Sequence, residues 1–216
     1  GFFVARAGLG ASESMRSKLA EYNDPRLSRA FITKQGTSGK EQAPGTADNA
    51  VYAPNGTPEQ GTSKYGTSLF MYSISAPTLL LSYHELKFLE AEALCRLERD
   101  AKSALKDAVV AGLLNAENSF TISRKELGKT LINAANSITE AEAESYFDNT
   151  IEAKYTAEPL KTTMTQKYFA LWGASGEATE SYNDVRRMKG LGENFIELKN
   201  PNSFPLRCPY GNSDTT

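Results

Sequence analysis

The chain has few of the residues on which catalytic and metal sites usually depend. It contains one histidine and two cysteines among 216 residues. A metal site with several histidines is therefore excluded, and two cysteines are too few for a disulfide framework. Any catalytic triad would have to use His84, but no nucleophile motif accompanies it, so we interpret His84 as a structural residue. The sequence predicts no catalytic residue, no metal site and no cofactor.

The remaining rare side chains fit a structural role in the same way. Cys95 falls within an apolar helical pattern, which favours a buried free thiol. A bridge from Cys95 to Cys208 stays open as an alternative. Trp172 is the only tryptophan, and its place in a helical pattern favours a core position over a platform for a sugar ring.

Long apolar runs and a strong charge of one sign are also missing. No apolar run approaches the roughly 20 residues that a membrane-spanning helix needs. The formal net charge is −2, so the basic face that nucleic-acid binding requires is not expected. The sequence begins without a signal peptide, and we therefore expect an excised fragment.

A long polar tract occupies residues 33–68, which are rich in Gly, Pro, Thr, Ser and Asn and have no helical period. A tract of this length in a compact domain is usually either a functional loop or disordered. Tyr52 and Tyr65 are its aromatic residues, in otherwise polar surroundings. We predict a long loop in which these two tyrosines bind a ligand, and a surface loop without function remains the alternative.

The strongest helical pattern lies after this tract, over residues 79–99. Ser82 followed by Glu85 fits a capping box, in which each side chain bonds to the backbone amide of the other residue. Apolar residues then recur at spacings of three and four, which predicts one buried stripe on the helix. This predicted stripe consists of Leu86, Leu89, Ala93, Leu94 and Leu97.

Further helices are predicted over residues 101–118, 138–155 and 159–174. Short links join 79–99 to 101–118 and 138–155 to 159–174, so each pair is expected to form an antiparallel hairpin. The buried stripe of the second helix is predicted to consist of Leu105, Val109, Gly112, Leu113 and Ala116.

Three shorter segments give weaker patterns. Residues 69–76 alternate in part and predict a short strand. Ser123 followed by Glu126 predicts a separate capped helix that reaches Ala135. A short helix is expected over residues 177–188.

Five short motifs occur in a fixed order between residues 23 and 214. They are NDPRL at 23–27, YHELKFLEAEA at 83–93, QKYFAL at 166–171, NDVRR at 183–187 and RCPYGNSD at 207–214. In sequence and order they resemble motifs of the SusD/RagB-like family of outer-membrane nutrient-binding lipoproteins.

The resemblance implies a mainly α fold of tetratricopeptide-like helical hairpins with long irregular loops. It also implies that residues 1–216 are part of one domain whose N-terminal half and lipidation signal lie outside this sequence. Members of the family are attached by their lipid to the outer membrane, at the cell surface. They bind glycans or other nutrients without covalent chemistry and deliver them to a TonB-dependent outer-membrane transporter.

Two other classes of protein remain open from the residues alone. A helical-repeat module that binds a protein partner would keep the same fold and would expose an apolar patch on its helices. A glycoside hydrolase would need two carboxylates at a defined separation in space, and the sequence does not select such a pair.

Overall fold

The computed structural model describes residues 10–32, 52–56, 65–73, 75–128 and 136–199. Most of these residues are helical, and the predicted mainly α fold is confirmed. Most of the predicted polar loop, the closing motif and the second cysteine lie outside the described residues.

The helices follow one another with short links, and strand structure in the described ranges is slight. Two-residue strands β1 (Phe31–Ile32) and β2 (Thr67–Ser68) pair in antiparallel fashion. Two 3-10 helices cover Leu69–Tyr72 and Ser175–Thr179, and a π-helical turn covers Phe147–Ile151. The α-helices are α1 Glu13–Glu21, α2 Tyr83–Arg96, α3 Lys102–Leu127, α4 Glu140–Tyr146, α5 Glu152–Ala157, α6 Pro159–Leu171 and α7 Glu180–Gly190.

Both predicted helix pairs form. Helix α2 packs against α3 and also against α6, and α5 packs against α6. The stripe predicted for α3 is buried as expected. At its centre Gly112 allows close approach, because a Cβ atom built on it would lie 3.0 Å from the Cβ atom of Ala170 on α6.

The buried stripe predicted for α2 is wrong. Leu86, Leu89 and Leu97 are 52%, 42% and 62% exposed. The opposite face is buried although it carries polar and charged groups, because Glu92 bonds to Arg187 of α7 and His84 lies 3.7 Å from Glu177 in the segment before α7. Apolar spacing could not identify this face. The buried residues of α2 are His84, Glu85, Phe88, Ala91 and Glu92.

The helix start predicted at residue 79 is also displaced, because α2 begins at Tyr83. Ser82 is the N-cap, and its Oγ accepts a hydrogen bond of 3.1 Å from the backbone N–H of Glu85. This half of the predicted capping box is confirmed. The bond that should return to the amide of Ser82 comes from Glu177, not from Glu85.

The separate helix predicted after Ser123 is wrong, because Ser123 lies inside α3. Its hydroxyl is buried, and its one proton lies between two acceptors, the carbonyl oxygens of Leu69 at 2.6 Å and Ser119 at 2.9 Å from Oγ. The hydroxyl therefore bonds across to another segment and does not cap a new helix.

The strand predicted over residues 69–76 is wrong as well. Its first four residues form a 3-10 helix that Ser68 caps, since the Ser68 hydroxyl accepts a 3.3 Å hydrogen bond from the amide of Phe70. The residues that pair as a strand are Thr67 and Ser68, immediately before this 3-10 helix.

The NDPRL motif fixes the turn after α1 to the end of α6. Asp24 and Arg26 are both 2% exposed, and Arg26 Nε donates a 2.8 Å hydrogen bond to Asp24 Oδ1. Arg26 Nη1 donates a 2.7 Å hydrogen bond to the carbonyl of Phe169. Buried charges persist when they are paired and hydrogen-bonded, so this motif has an architectural role.

Candidate functional site

A row of aromatic rings crosses the core. The ring of Tyr52 meets Phe31 edge-on at a centroid distance of 5.1 Å, and Phe31 lies 5.3 Å from Trp172. Phe70 then meets Trp172 edge-on at 5.0 Å and lies 4.8 Å from Phe120. Edge contacts of this kind add to the stability that burial of the rings gives. Trp172 therefore packs within the fold, in agreement with the interpretation from the sequence.

Tyr52 and Tyr65, the two tyrosines proposed to bind a ligand, lie in backbone segments that are both hydrogen-bonded to Ala11. Ala11 accepts a 2.7 Å hydrogen bond from the amide of Ala53 and donates one of 2.8 Å to the carbonyl of Gly66. Tyr52 is half-buried, and Tyr65 is only 9% exposed. Their part in ligand binding stays a prediction.

A cavity of about 360 Å³ lies at the Phe70 end of the aromatic row, and we call it the Asn115 cavity. Three separate parts of the chain form its walls: residues within 70–79, residues within 115–119 of α3, and residues within 173–178. Its volume is near the lower end of the range for small-molecule sites. Neither Tyr52 nor Tyr65 lines it.

Two glycines allow the walls of this cavity to touch. Gly173 has a φ of +80°, and a Cβ atom on it would lie 2.4 Å from Cγ of Phe70. A Cβ atom on Gly176 would lie 2.6 Å from the carbonyl oxygen of Leu79. Any larger residue at either position would push the walls apart.

The lining offers neutral hydrogen-bonding groups beside an aromatic ring. Asn115 and Asn118 lie three residues apart, on one face of α3. Each amide has donors and an acceptor, and within the described ranges neither side chain has a hydrogen-bond partner. The described lining residues include no charged side chain. This combination suits a neutral ligand that carries several hydroxyl groups and has an apolar face.

Three further cavities, of about 480, 540 and 570 Å³, have charged linings. In the largest of them the charges already bond to one another. Lys167 Nζ lies 2.8 Å from Asp184 Oδ2, and Arg187 Nη2 donates a 2.9 Å hydrogen bond to Glu92 Oε2. A ligand there would have to displace these bonds, so the Asn115 cavity is a better candidate site than this one.

These paired charges join three of the sequence motifs. Glu92 comes from the α2 motif, Lys167 from QKYFAL, and Asp184 and Arg187 from NDVRR. Burial alone raises the pKa of Glu92, but hydrogen bonds from Arg187 and Arg96 lower it below its ordinary value. Arg187 at the end of α7 is therefore engaged by carboxylates of the protein itself.

A buried carboxyl pair lies behind the cavity wall, where Ser175–Thr179 meets the start of α2. The Glu177 carboxylate accepts a hydrogen bond from the backbone N–H of Ser82, and its Oε2 lies 3.7 Å from His84 Nε2. Burial lowers the pKa of His84 despite this neighbour. Burial, followed by the charge of Glu177, raises the pKa of Glu85 to about 7.

The described ranges contain neither a candidate metal site nor a candidate membrane-spanning helix. They contain no cluster of three or more His, Cys, Asp or Glu residues that could hold a metal ion. None of their helices combines the length and the apolar character that a bilayer crossing demands.

Taken with the fold, these features define a helical-hairpin protein of the tetratricopeptide-like kind, with a neutral polar cavity. A SusD-like family model, described as starch-binding and associating with the outer membrane, matches residues 3–210. The chain belongs to this SusD-like family. A search among curated proteins gave no match.

Two solved structures agree with this assignment. A SusD/RagB family protein from Bacteroides thetaiotaomicron is 62% identical, with a TM-score of 0.92 over 100% of this chain and 46% of its own. A SusD homolog from Bacteroides fragilis is 18% identical, with a TM-score of 0.60 over 94% of this chain and 45% of its own, and it supports the fold alone. The chain therefore spans about half the length of these relatives.

Proposed function

We propose that this protein binds glycans at the outer membrane and that the Asn115 cavity contributes to the binding site. The observation that carries the proposal is the match of residues 3–210 to a family described as starch-binding and associating with the outer membrane. The cavity supports it, because the side-chain amides of Asn115 and Asn118 can bond to sugar hydroxyls and the ring of Phe70 can pack on the apolar face of a sugar.

The role is non-enzymatic, and the bound glycan passes to a TonB-dependent outer-membrane transporter. A lipid on the N-terminal part of the full-length protein holds it at the cell surface. Family membership is the support for these three statements.

Tyr52 and Tyr65 remain proposed as ligand-binding residues. Tyr52 supports this best, since its half-buried ring ends the aromatic row opposite the Asn115 cavity and lies beneath Arg16, whose guanidinium carbon is 5.7 Å from the ring centroid. Tyr52 does not line the Asn115 cavity, so only a long glycan could contact both. Tyr52→Ala should therefore weaken the binding of long oligosaccharides and leave that of short ones unchanged.

Calorimetric titration of the full-length protein with a panel of oligosaccharides, starch fragments included, tests the proposal. We expect saturable binding of at least one glycan, with no release of new reducing ends during the titration. Absence of binding across the panel, in protein that still associates with its transporter, would contradict the glycan ligand. Release of reducing ends would instead support a glycoside hydrolase.

A second candidate function is protein binding through the outer face of α2 and the residues at its two ends. Leu86 on α2 is 52% exposed, Leu80 and Leu81 before it are 88% and 66% exposed, and Leu97 after it is 62% exposed. Changing Leu86 and Leu97 to Ser should then abolish a partner complex in size-exclusion chromatography. If the complex persists while glycan binding is intact, this second function is wrong.

A further inference from the structure

The N-terminus of α2 is closed by a carboxylate from a distant part of the chain. In a capping box the residue three positions after the cap, here Glu85, bonds back to the cap amide. In this protein Glu177 makes that bond to the Ser82 amide, from 95 positions away. Glu85 is left beside it, and burial, followed by the charge of Glu177, raises the pKa of Glu85.

Both carboxyl groups are buried, because Glu177 is 2% exposed and Glu85 is 6% exposed. Burial disfavours two neighbouring negative charges, so one group of the pair favours its protonated form. Protonation of Glu85 removes the repulsion and leaves the Glu177 carboxylate bonded to the amide of Ser82.

The same bond connects two walls of the Asn115 cavity. Ser82 follows the wall residues Pro77, Thr78 and Leu79, and Glu177 lies between the wall residues Ser175 and Ala178. The walls already touch where Gly176 meets Leu79. The bond from Glu177 is therefore placed to hold this contact closed.

We propose that Glu177 is a positioning residue, whose bond to the backbone amide of Ser82 holds two walls of the Asn115 cavity together. The effect on a ligand rests on the proposed function, whereas the contact between the walls does not.

Charged groups from each neighbouring element face this pair. Lys167 of α6 lowers the pKa of Glu85, and Glu180 of α7 raises it, although both effects are smaller than those of burial and Glu177. Lys167 is itself bonded to Asp184 of α7. His84 of α2 faces Glu177, and burial, with a smaller contribution from Arg26, lowers the pKa of His84 and so disfavours its charged form.

The pair makes stability depend on pH. The pKa of Glu85 rises from 4.5 to about 7 in the folded protein, so the folded state holds one more proton than the unfolded state between these values. Stability therefore falls as pH rises through this window. The contact between the walls should be tightest in mildly acidic solution.

Thermal unfolding of the full-length protein between pH 5 and 8 tests whether Glu85 lies buried beside Glu177, with a raised pKa. The midpoint of the unmodified protein should fall with rising pH by more than that of Glu85→Gln, with a difference of at least roughly 3 °C at pH 8. The Gln side chain cannot ionise. Glu144→Gln, which removes an exposed carboxylate on α4, should behave like the unmodified protein. Equal slopes in the unmodified protein and in Glu85→Gln would show that Glu177 does not lie against a buried Glu85 and would contradict the proposal.

Hydrogen exchange of backbone amides tests the positioning role. In Glu177→Ala the amides of residues 78–82 should exchange at least about tenfold faster, and in Glu177→Gln, whose carbonyl still accepts from Ser82, they should not. If Glu177→Ala fails to fold, an NMR titration of Glu177→Gln decides the question. The titration midpoint of Glu85 should then shift downward, because the neighbouring negative charge has been removed. Unchanged exchange in Glu177→Ala, or an unchanged midpoint in Glu177→Gln, would refute the proposal whether or not the protein binds a glycan.

Discussion

Replacement of Gly173 by Ala should both destabilise the protein and distort the Asn115 cavity. The new Cβ atom would lie 2.4 Å from Cγ of Phe70 and 2.5 Å from its two Cδ atoms. The whole ring therefore has to move, and this ring is part of the cavity lining. The backbone at Gly173 also has a φ of +80°, which is unfavourable for alanine.

The two effects have separate magnitudes. A residue with a side chain in the left-handed region costs about 1–2 kcal/mol. Forcing an extra methyl group into a packed core costs about 1–3 kcal/mol. Their sum predicts that Gly173→Ala lowers the free energy of unfolding by roughly 2–5 kcal/mol.

Urea unfolding measures this loss, and Gly192→Ala is the matched control. Gly192 has a φ of +76°, with no atom within 4 Å of the position where a Cβ atom would stand. This control therefore reports the backbone cost without the clash. The difference between the two variants should equal the cost of displacing Phe70.

A double variant, Gly173→Ala with Phe70→Leu, separates the clash from other causes. A smaller ring-free side chain should relieve the contact, so the double variant should lose less stability than the two single variants together. If Gly173→Ala costs no more than Gly192→Ala, or if the two changes add, then Phe70 does not pack on Gly173 as described.

Two further predictions concern the buried charges and the orientation of α2. Arg26→Met should lower the free energy of unfolding by about 3–5 kcal/mol, because it leaves the buried Asp24 carboxylate unpaired, and adding Asp24→Asn should restore part of this loss in urea unfolding. Phe88→Ala should cost about 3–5 kcal/mol, whereas Leu86→Ala should change stability by no more than about 0.5 kcal/mol. Equal losses at Phe88 and Leu86 would contradict the observed burial of α2.

The helices could be predicted from the sequence because they depend on local signals. Ser82 caps α2, and the α3 stripe around Leu113 is buried as its spacing indicates. Both features are decided within a few turns of one helix, so periodicity and capping residues were sufficient.

The buried face of α2 could not be found in this way. Glu92 is buried because Arg187, 95 positions away, bonds to both of its carboxylate oxygens. A buried charge that pairs with a distant residue leaves no periodic pattern in the sequence. The leucines of α2 do form a periodic pattern, but Leu86 and Leu89 among them are exposed, so the pattern predicted the wrong face. The family motifs contained the missing information, since Glu92 and Arg187 belong to two of them.

The Asn115 cavity was also missed, because three separated segments build it. Two signals were nevertheless present in the sequence. Asn115 and Asn118 are polar residues three apart in the second half of α3, outside its apolar stripe. Gly173 and Gly176 follow the only tryptophan of the chain, where a bend in the backbone and a close approach of another segment were to be expected.

The most direct test of glycan binding at the Asn115 cavity is the dissociation constant of the best oligosaccharide ligand, measured by calorimetry on the full-length protein. Asn115→Ala combined with Asn118→Ala should weaken binding by about tenfold or more, since two hydrogen-bonding side chains are removed. Asn149→Ala, at an exposed position outside the cavity, should leave the constant unchanged. Equal affinity in all three proteins would contradict the account and place the glycan site elsewhere.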